Sequence, residues 1–367
     1  MINILLIFIL INLINVNQFQ IDFLQQNNFS SFIIEYELPT KNSGIAGLTT
    51  DDEGNVWFVE VNASKLGVFF VSNNTFKEFE FKIENTNPSY IAFVALSQIE
   101  YDKKKNKIWF TWSYSDVIIS FDLLTKKFEY YFLPTKGSGV FDILVDGDVI
   151  WFTELFGNKI GKLIPEKNEI IEFEHPSKYA GPAILTKDSK GILWYTLAYG
   201  RKIAYFNPEN IKSSDDIKEV IPSTYTLISP VGIDVYNDIL WIADHGTGAF
   251  LSYTPFNNTW EYYIVYNRNK TITSSCCLVN DIKVDKEGNI WFITHLGNTV
   301  GKLDKITKTI TEYVIPTKSS NSLWLAVGKR GEVWFTEFSG NKIGKVVAKP
   351  DEELKINTLK INKNTIR

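Results

Sequence analysis

The stretch GEVWFTEFSGNKIGKV (Gly331 to Val346) reads as two strands: a glycine-acidic turn, an apolar strand built on Trp334, a polar turn, and a second strand with a glycine at its centre. The same phrase stands at DVIWFTELFGNKIGKL (Asp148 to Leu163). Its first half returns as GNVWFVE (Gly54 to Glu60), NKIWFTW (Asn106 to Trp112), GILWYTL (Gly191 to Leu197), DILWIAD (Asp238 to Asp244) and GNIWFIT (Gly288 to Thr294). The tryptophans, Trp57, Trp109, Trp151, Trp194, Trp241, Trp291 and Trp334, are 42 to 52 residues apart. Seven units of that period match propeller blades.

Each unit reads as four short strands. An innermost strand such as Gly47-Leu48-Thr49 precedes the turn, and the Trp strand is second. The Lys-Ile-Gly-Lys type is third, and an alternating strand such as Thr311-Glu312-Tyr313-Val314-Ile315 is fourth. Pro134, Pro176, Pro222 and Pro316 follow fourth strands, where a residue without an N–H ends a sheet edge. The seventh unit lacks a fourth strand, whereas Ile33 to Thr40 is a fourth strand with no unit before it. The expected fold is therefore all-β: a seven-bladed β-propeller of four-stranded blades, its ring closed by the N-terminal strand in the last blade, over residues 31–348. Closure protects sheet edges that an open array would expose. Residues 349–367 read as a polar tail, with Leu354 to Ile361 a competitor for that outer strand.

The 367 residues carry 26 Phe, 17 Tyr and 10 Trp, enough for a large β-rich core. The 38 Lys and Arg nearly balance the 42 Asp and Glu, which argues against a nucleic-acid partner. Cys276 and Cys277 are the only cysteines and are adjacent, so no disulfide framework holds the fold. They read either as a vicinal disulfide or as two free thiols. Met1 to Val16 is an apolar run, shorter than the roughly 20 residues of a membrane span. Residues 1–30 are read as a signal peptide, with a membrane anchor or docked helix as the alternative, although no Lys or Arg precedes Lys41. A secreted or cell-surface location follows. Sequons at Asn28, Asn62, Asn73, Asn257 and Asn269 make a glycoprotein the accompanying expectation.

Trp-Phe-Thr-Glu, Gly-Asn-Lys-Ile-Gly-Lys and Glu-Tyr-x-x-Pro-Thr together resemble the streptogramin B (virginiamycin B) lyase family, over roughly Phe32 to Val346. The resemblance implies a seven-bladed propeller and Mg2+-dependent opening of a cyclic depsipeptide by elimination at its ester. It also implies histidines just before the Gly-Ile pair of the innermost strand in the last two blades, and a Glu two residues before the second of them. A further Glu is implied four residues after the last Trp. Here the first slot holds Ala46, Gln98, Phe141, Ala183, Val231, Asn280 and Leu323 in blade order. The Glu positions fall on Asn321 and Phe338, and a Tyr slot of the first blade falls on Ala46. An elimination without a proton acceptor or an electrophile has no route, so Mg2+ belongs only to a lyase reading and no cofactor is otherwise implied.

His245 and His295 each stand four residues after a blade Trp, in blades five and six. They are the candidate catalytic bases or ligands, weighed against ordinary turn histidines, while His175 reads as a solvated bystander. Asp244, Asn280, Asp281 and Trp324 are candidate ligand-binding residues of the channel mouth. Glu60, Glu154 and Glu337, three after Trp, read either as an acidic collar for a cation or as acceptors of turn N–H groups. Trp112 and Trp324 are ligand-stacking or wedge-filling aromatics. The expected function is binding of a small molecule or protein at the channel mouth without lyase chemistry. The alternatives are a divergent lyase, a propeller lactonase, or a structural cell-surface module.

Overall fold

The computed structural model describes residues 32–83, 97–223, 225–265, 278–347 and Lys355–Ile356. The chain divides into Met1–Ser31 and Phe32–Arg367. The N-terminal segment read as a signal peptide or anchor falls in the first unit, outside the described residues. So do Cys276, Cys277, Asn28 and Asn269.

The second unit is a seven-bladed β-propeller of antiparallel sheets. Six blades follow chain order, over residues 45–80, 99–132, 140–174, 182–220, 230–264 and 279–314. The seventh joins Leu325–Val327, Val333–Glu337 and Lys342–Val346 to Ile33–Glu37 as its outer strand, with Ile33 opposite Val346 and Glu37 opposite Lys342. The expected latch is thus formed. The C-terminal competitor goes elsewhere: Lys355–Ile356 pairs with Ile310 and Thr311, giving blade six a fifth strand.

Cross-strand register explains the repeated phrase. In blade seven Trp334 lies opposite Lys345, Phe335 opposite Gly344, Thr336 opposite Ile343 and Glu337 opposite Lys342. The glycine is there because the Phe ring covers it. A Cβ on Gly344 would fall 2.0 Å from the ring of Phe335, and one on Gly161 would fall 1.9 Å from that of Phe152. The second lysine lies over the tryptophan, with Lys345 Nζ 5.1 Å from the Trp334 ring and Lys162 Nζ 5.5 Å from that of Trp151. Trp57, Trp151, Trp194 and Trp334 also meet rings on the next blade's third strand. Trp151 meets Phe206 at 5.1 Å, and Trp334 meets Phe69 at 5.8 Å. Such pairs add about 0.5–1.5 kcal/mol beyond area burial. The aromatic excess is therefore largely the material between blades, and Trp112, 2% exposed and edge-on to Phe81, belongs to it.

Candidate functional site: the channel mouth and the His245–His295 rim

Antiparallel pairing brings the start of each innermost strand and the end of its Trp strand to one face, as in Val140 opposite Glu154 and Pro230 opposite Asp244. The innermost strand then shifts register, and the threonine of Trp-Phe-Thr spans the irregularity. Thr153 Oγ1 accepts the Asp142 N–H at 3.0 Å and donates to the Ala183 carbonyl of the next blade at 2.6 Å. Thr111 does the same for Gln98 and Phe141, and Thr196 for Ile184 and Val231. These threonines hold the mouth-lining slots in place. The recurrence of threonine two residues after Trp is the sequence signal for that role.

Across the axis the mouth is filled by apolar side chains. Phe141 of blade three and Trp324 of blade seven meet edge to face at 5.7 Å. Leu323, Ala183, Leu155, Val231 and Phe338 belong to the same cluster, and Ala46 is buried beside Phe338 in the adjoining one. The positions at which the family resemblance implies a histidine, a carboxylate and a tyrosine are therefore packing positions. Asn280 donates to the Leu323 carbonyl at 2.7 Å, and Trp324 is 4% exposed. Both are committed to holding the plug.

Asp244 is likewise occupied. Its carboxylate accepts from the backbone of Ile228 and Ser229 and from the hydroxyls of Tyr225 and Thr247, which fixes the turn before His245. Asp281 accepts the Leu325 N–H of blade seven and the Ile282 N–H, both at 2.9 Å, with Lys283 Nζ at 3.5 Å. Glu100, Asp142 and Asp234 repeat this clasp onto Val145, Leu185 and Val284 of their next blades. Burial, the largest influence, lifts Glu100 to about 8 and Asp142 to about 7.

Glu60, Glu154 and Glu337 are fully enclosed in three separate blades, so they do not ring an open mouth. Among the described residues no backbone N–H of their turns bonds their carboxyl oxygens, although the hydroxyls of Ser43 and Thr317 lie close enough to Glu60 and Glu337 to favour their charged forms. Each sits beside a Lys–Glu–Thr clasp that joins two blades. Lys159 Nζ bonds Glu172 at 2.7 Å and Thr135 at 2.6 Å, and Thr135 in turn donates to Glu172. Lys65, Glu78 and Thr40, and Lys342, Glu35 and Thr317, form the same arrangement. Burial first, and the clasp carboxylate second, raise Glu60 to about 7, Glu154 to about 8 and Glu337 to about 7. His175 is also enclosed, in contrast to the solvated position expected for it. Its ring stands edge-on to Tyr195 at 5.8 Å, and Nδ1 accepts the Ser177 N–H.

The two remaining histidines come together. His245 Nε2 lies 3.4 Å from His295 Nδ1, with ring centroids 5.7 Å apart and planes 28° from parallel. Each is anchored by its backbone N–H at 3.0 Å, His245 to the Ser229 carbonyl and His295 to that of Leu278. His295 Nε2 bonds Asn321 Oδ1 of blade seven. Both rings are half-buried. Burial, and then the neighbouring His295, push His245 down to about 3, and burial lowers His295 as well. Two neutral imidazoles at the rim can accept or donate hydrogen bonds or offer a lone pair. Exposed Ile228 and Leu296 flank them.

The family model for virginiamycin B lyases matches residues 96–275. Among solved structures, a streptogramin B lyase is 27% identical with a TM-score of 0.73, over 85% of this chain and 96% of that one. A catalytically inactive histidine-to-alanine variant of virginiamycin B lyase from Staphylococcus aureus, with quinupristin, is 24% identical with a TM-score of 0.73, over 85% and 98%. The extracellular domain of a hybrid two component system from B. thetaiotaomicron shares the fold alone, at 15% identity and a TM-score of 0.61 over 84% of this chain and 40% of that one. No curated protein matches the chain. Family match, closed ring and blade phrase agree: the chain is a seven-bladed propeller similar in sequence and fold to the virginiamycin B lyases.

Proposed function

We propose that this propeller is a secreted or surface-held binding protein that takes a small molecule or peptide at the rim formed by His245, His295 and Asn321, without the family's lyase chemistry. The observation that carries this reading is the plug. Leu323 and Phe338 belong to one apolar cluster with Phe141 and Trp324, at positions where an elimination would need a base and a carboxylate. Mg2+ does not fit these residues. Asn321 engages His295 and Phe338 is apolar, so neither offers the hard anionic oxygen that ion prefers. Two neutral imidazoles between exposed Ile228 and Leu296 suit an amphipathic ligand: polar atoms on the rings, apolar surface on the flanks.

The apolar leader, the exposed sequons at Asn62, Asn73 and Asn257, and structural neighbours that are extracellular domains support export. The deciding assay offers a streptogramin B depsipeptide with Mg2+ and follows the intact ring by mass. Recovery of unopened depsipeptide is expected, and ring opening would overturn the proposal.

A second reading rests on the two imidazoles meeting at the rim, where a neutral ring nitrogen can accept a proton. In it the chain is a divergent lyase or lactonase with His245 or His295 as base. Ester or lactone loss that disappears in His245→Ala and His295→Ala supports it, and unchanged rates in both variants remove it.

A further inference from the structure

We infer that the facing nitrogens of His245 and His295 form a two-imidazole site for a divalent transition ion of the Zn2+ or Cu2+ type. The inference rests on the rim just proposed as the binding face and names what that rim would present to a ligand. His245 Nε2 and His295 Nδ1 are 3.4 Å apart. Two nitrogens held by one ion at about 2.0–2.1 Å with a tetrahedral angle stand about 3.3 Å apart. The N···N spacing therefore suits an ion seated off the line joining them; the ring planes turn, and His245 takes the tautomer with its hydrogen on Nδ1 so that Nε2 also offers a lone pair.

Asn321 prepares one of the two ligands. Its Oδ1 can only accept, so the bonded His295 Nε2 carries the hydrogen and Nδ1 is left with its lone pair towards His245. A hydrogen-bonded outer partner of this kind orients a metal-binding imidazole and fixes its tautomer. The Asn321 backbone, at φ 54°, lies in the left-handed region that asparagine adopts more readily than most residues. That geometry belongs to the loop that delivers the amide to the ring. The backbone bonds to Ser229 and Leu278 hold both histidines at their turns.

The ion class follows from the donors. Imidazole suits Zn2+, Cu2+ and Ni2+, whereas Mg2+ selects oxygen. Two protein ligands leave coordination positions for water or for donor atoms of an incoming molecule. An ion held here would let the rim recognise a carbonyl or carboxylate that two neutral rings alone would hold weakly.

The test uses the full chain, stripped of metal by a chelator, with Zn2+ and Cu2+ added separately in competition with a chromogenic chelator. Nitrogen couplings of bound Cu2+ are read by electron paramagnetic resonance. One saturable ion per chain with two imidazole nitrogens is expected. His245→Gln and His295→Gln should each weaken binding about tenfold or more, and Asn321→Ala about tenfold with unchanged stoichiometry. His175→Gln and the Cys276→Ser, Cys277→Ser double variant should bind like the parent. Absence of saturable binding, a Cu2+ spectrum without imidazole nitrogen, or binding lost with the cysteines and kept without the histidines would overturn the site. The nitrogen count on the unaltered protein decides the matter even if a histidine variant unfolds. No organic ligand is present, so failure here removes the ion and leaves the ligand-binding rim standing. Depsipeptide ring opening, which would remove that rim's proposed role, is a separate measurement.

Discussion

Phe141 and Trp324, from blades that are not neighbours in the ring, meet edge to face at 5.7 Å. The contact ties opposite sides of the propeller together where a ligand-handling channel would otherwise be open. Truncating Trp324 to Ala should lower unfolding stability by about 3–5 kcal/mol, as buried Trp→Ala changes do. Denaturant unfolding at fixed pH measures it. A loss near zero would mean that the ring closes without the plug.

The Phe–Gly register makes a sharper claim. Because a Cβ on Gly344 would fall 2.0 Å from the Phe335 ring, Gly344→Ala should cost about 1–3 kcal/mol by overpacking. Adding Phe335→Leu, which withdraws the ring, should recover part of that loss. Additive losses in the double variant would show that the glycine serves some other need.

Much of this was legible in the chain because it is local. Trp334 and Lys345, or Phe335 and Gly344, face each other across one hairpin, so their chemistry recurs as a phrase wherever the hairpin does. Glu35 and Thr317 carry the closure as the same Glu and Thr that clasp other blades. What was not legible depends on which way single, non-repeating side chains turn. Phe141 and Trp324 sit at slots whose positions were known, yet only the folded ring shows that they touch. His245 and His295 fall in adjacent blades by spacing alone, but that their rings meet at 3.4 Å, with Asn321 of a third blade bonded to one of them, is visible only in the folded ring. The burial of Glu154 is not legible because Lys159 and Glu172 of its own blade and Thr135 of the connection entering that blade bond one another beside it.

The latch is testable by unfastening it. Glu35 accepts from Lys342 Nζ at 2.6 Å and from the Thr317 backbone at 2.8 Å, joining the N-terminal strand to blade seven and to the end of blade six. Glu35→Gln should destabilise by about 1.5–3 kcal/mol, the range for hydrogen bonds to a charged group. Removal of residues 32–38 should expose the Lys342–Val346 edge and give concentration-dependent association in light scattering. A truncated protein that stays monomeric with an unchanged melting temperature would refute the latch.

The buried glutamates set an unusual pH dependence. Glu154, raised to about 8 by burial and then by the Glu172 carboxylate, keeps its proton in the native state after the unfolded chain, near 4.5, has lost it. Below pH 4.5 both states are protonated and Glu154 contributes nothing to the slope. Between pH 4.5 and about 8 the native state binds the extra proton, so stability falls as pH rises; above that both states are ionised and the penalty is constant. Glu172 runs the other way. Lys159 and Thr135 outweigh its own burial and hold it below the usual carboxylate range, so its contribution is lost as pH falls through its native value. Glu154→Gln should therefore stabilise on the order of 1–3 kcal/mol at pH 8.5 and have almost no effect at pH 4. Glu172→Gln should destabilise at pH 7 and fade in acid. Melting both variants from pH 4 to 9 separates the effects, and a Glu154→Gln variant that is less stable than its parent at pH 8.5 would show that the carboxylate has a counter-charge in the native ring.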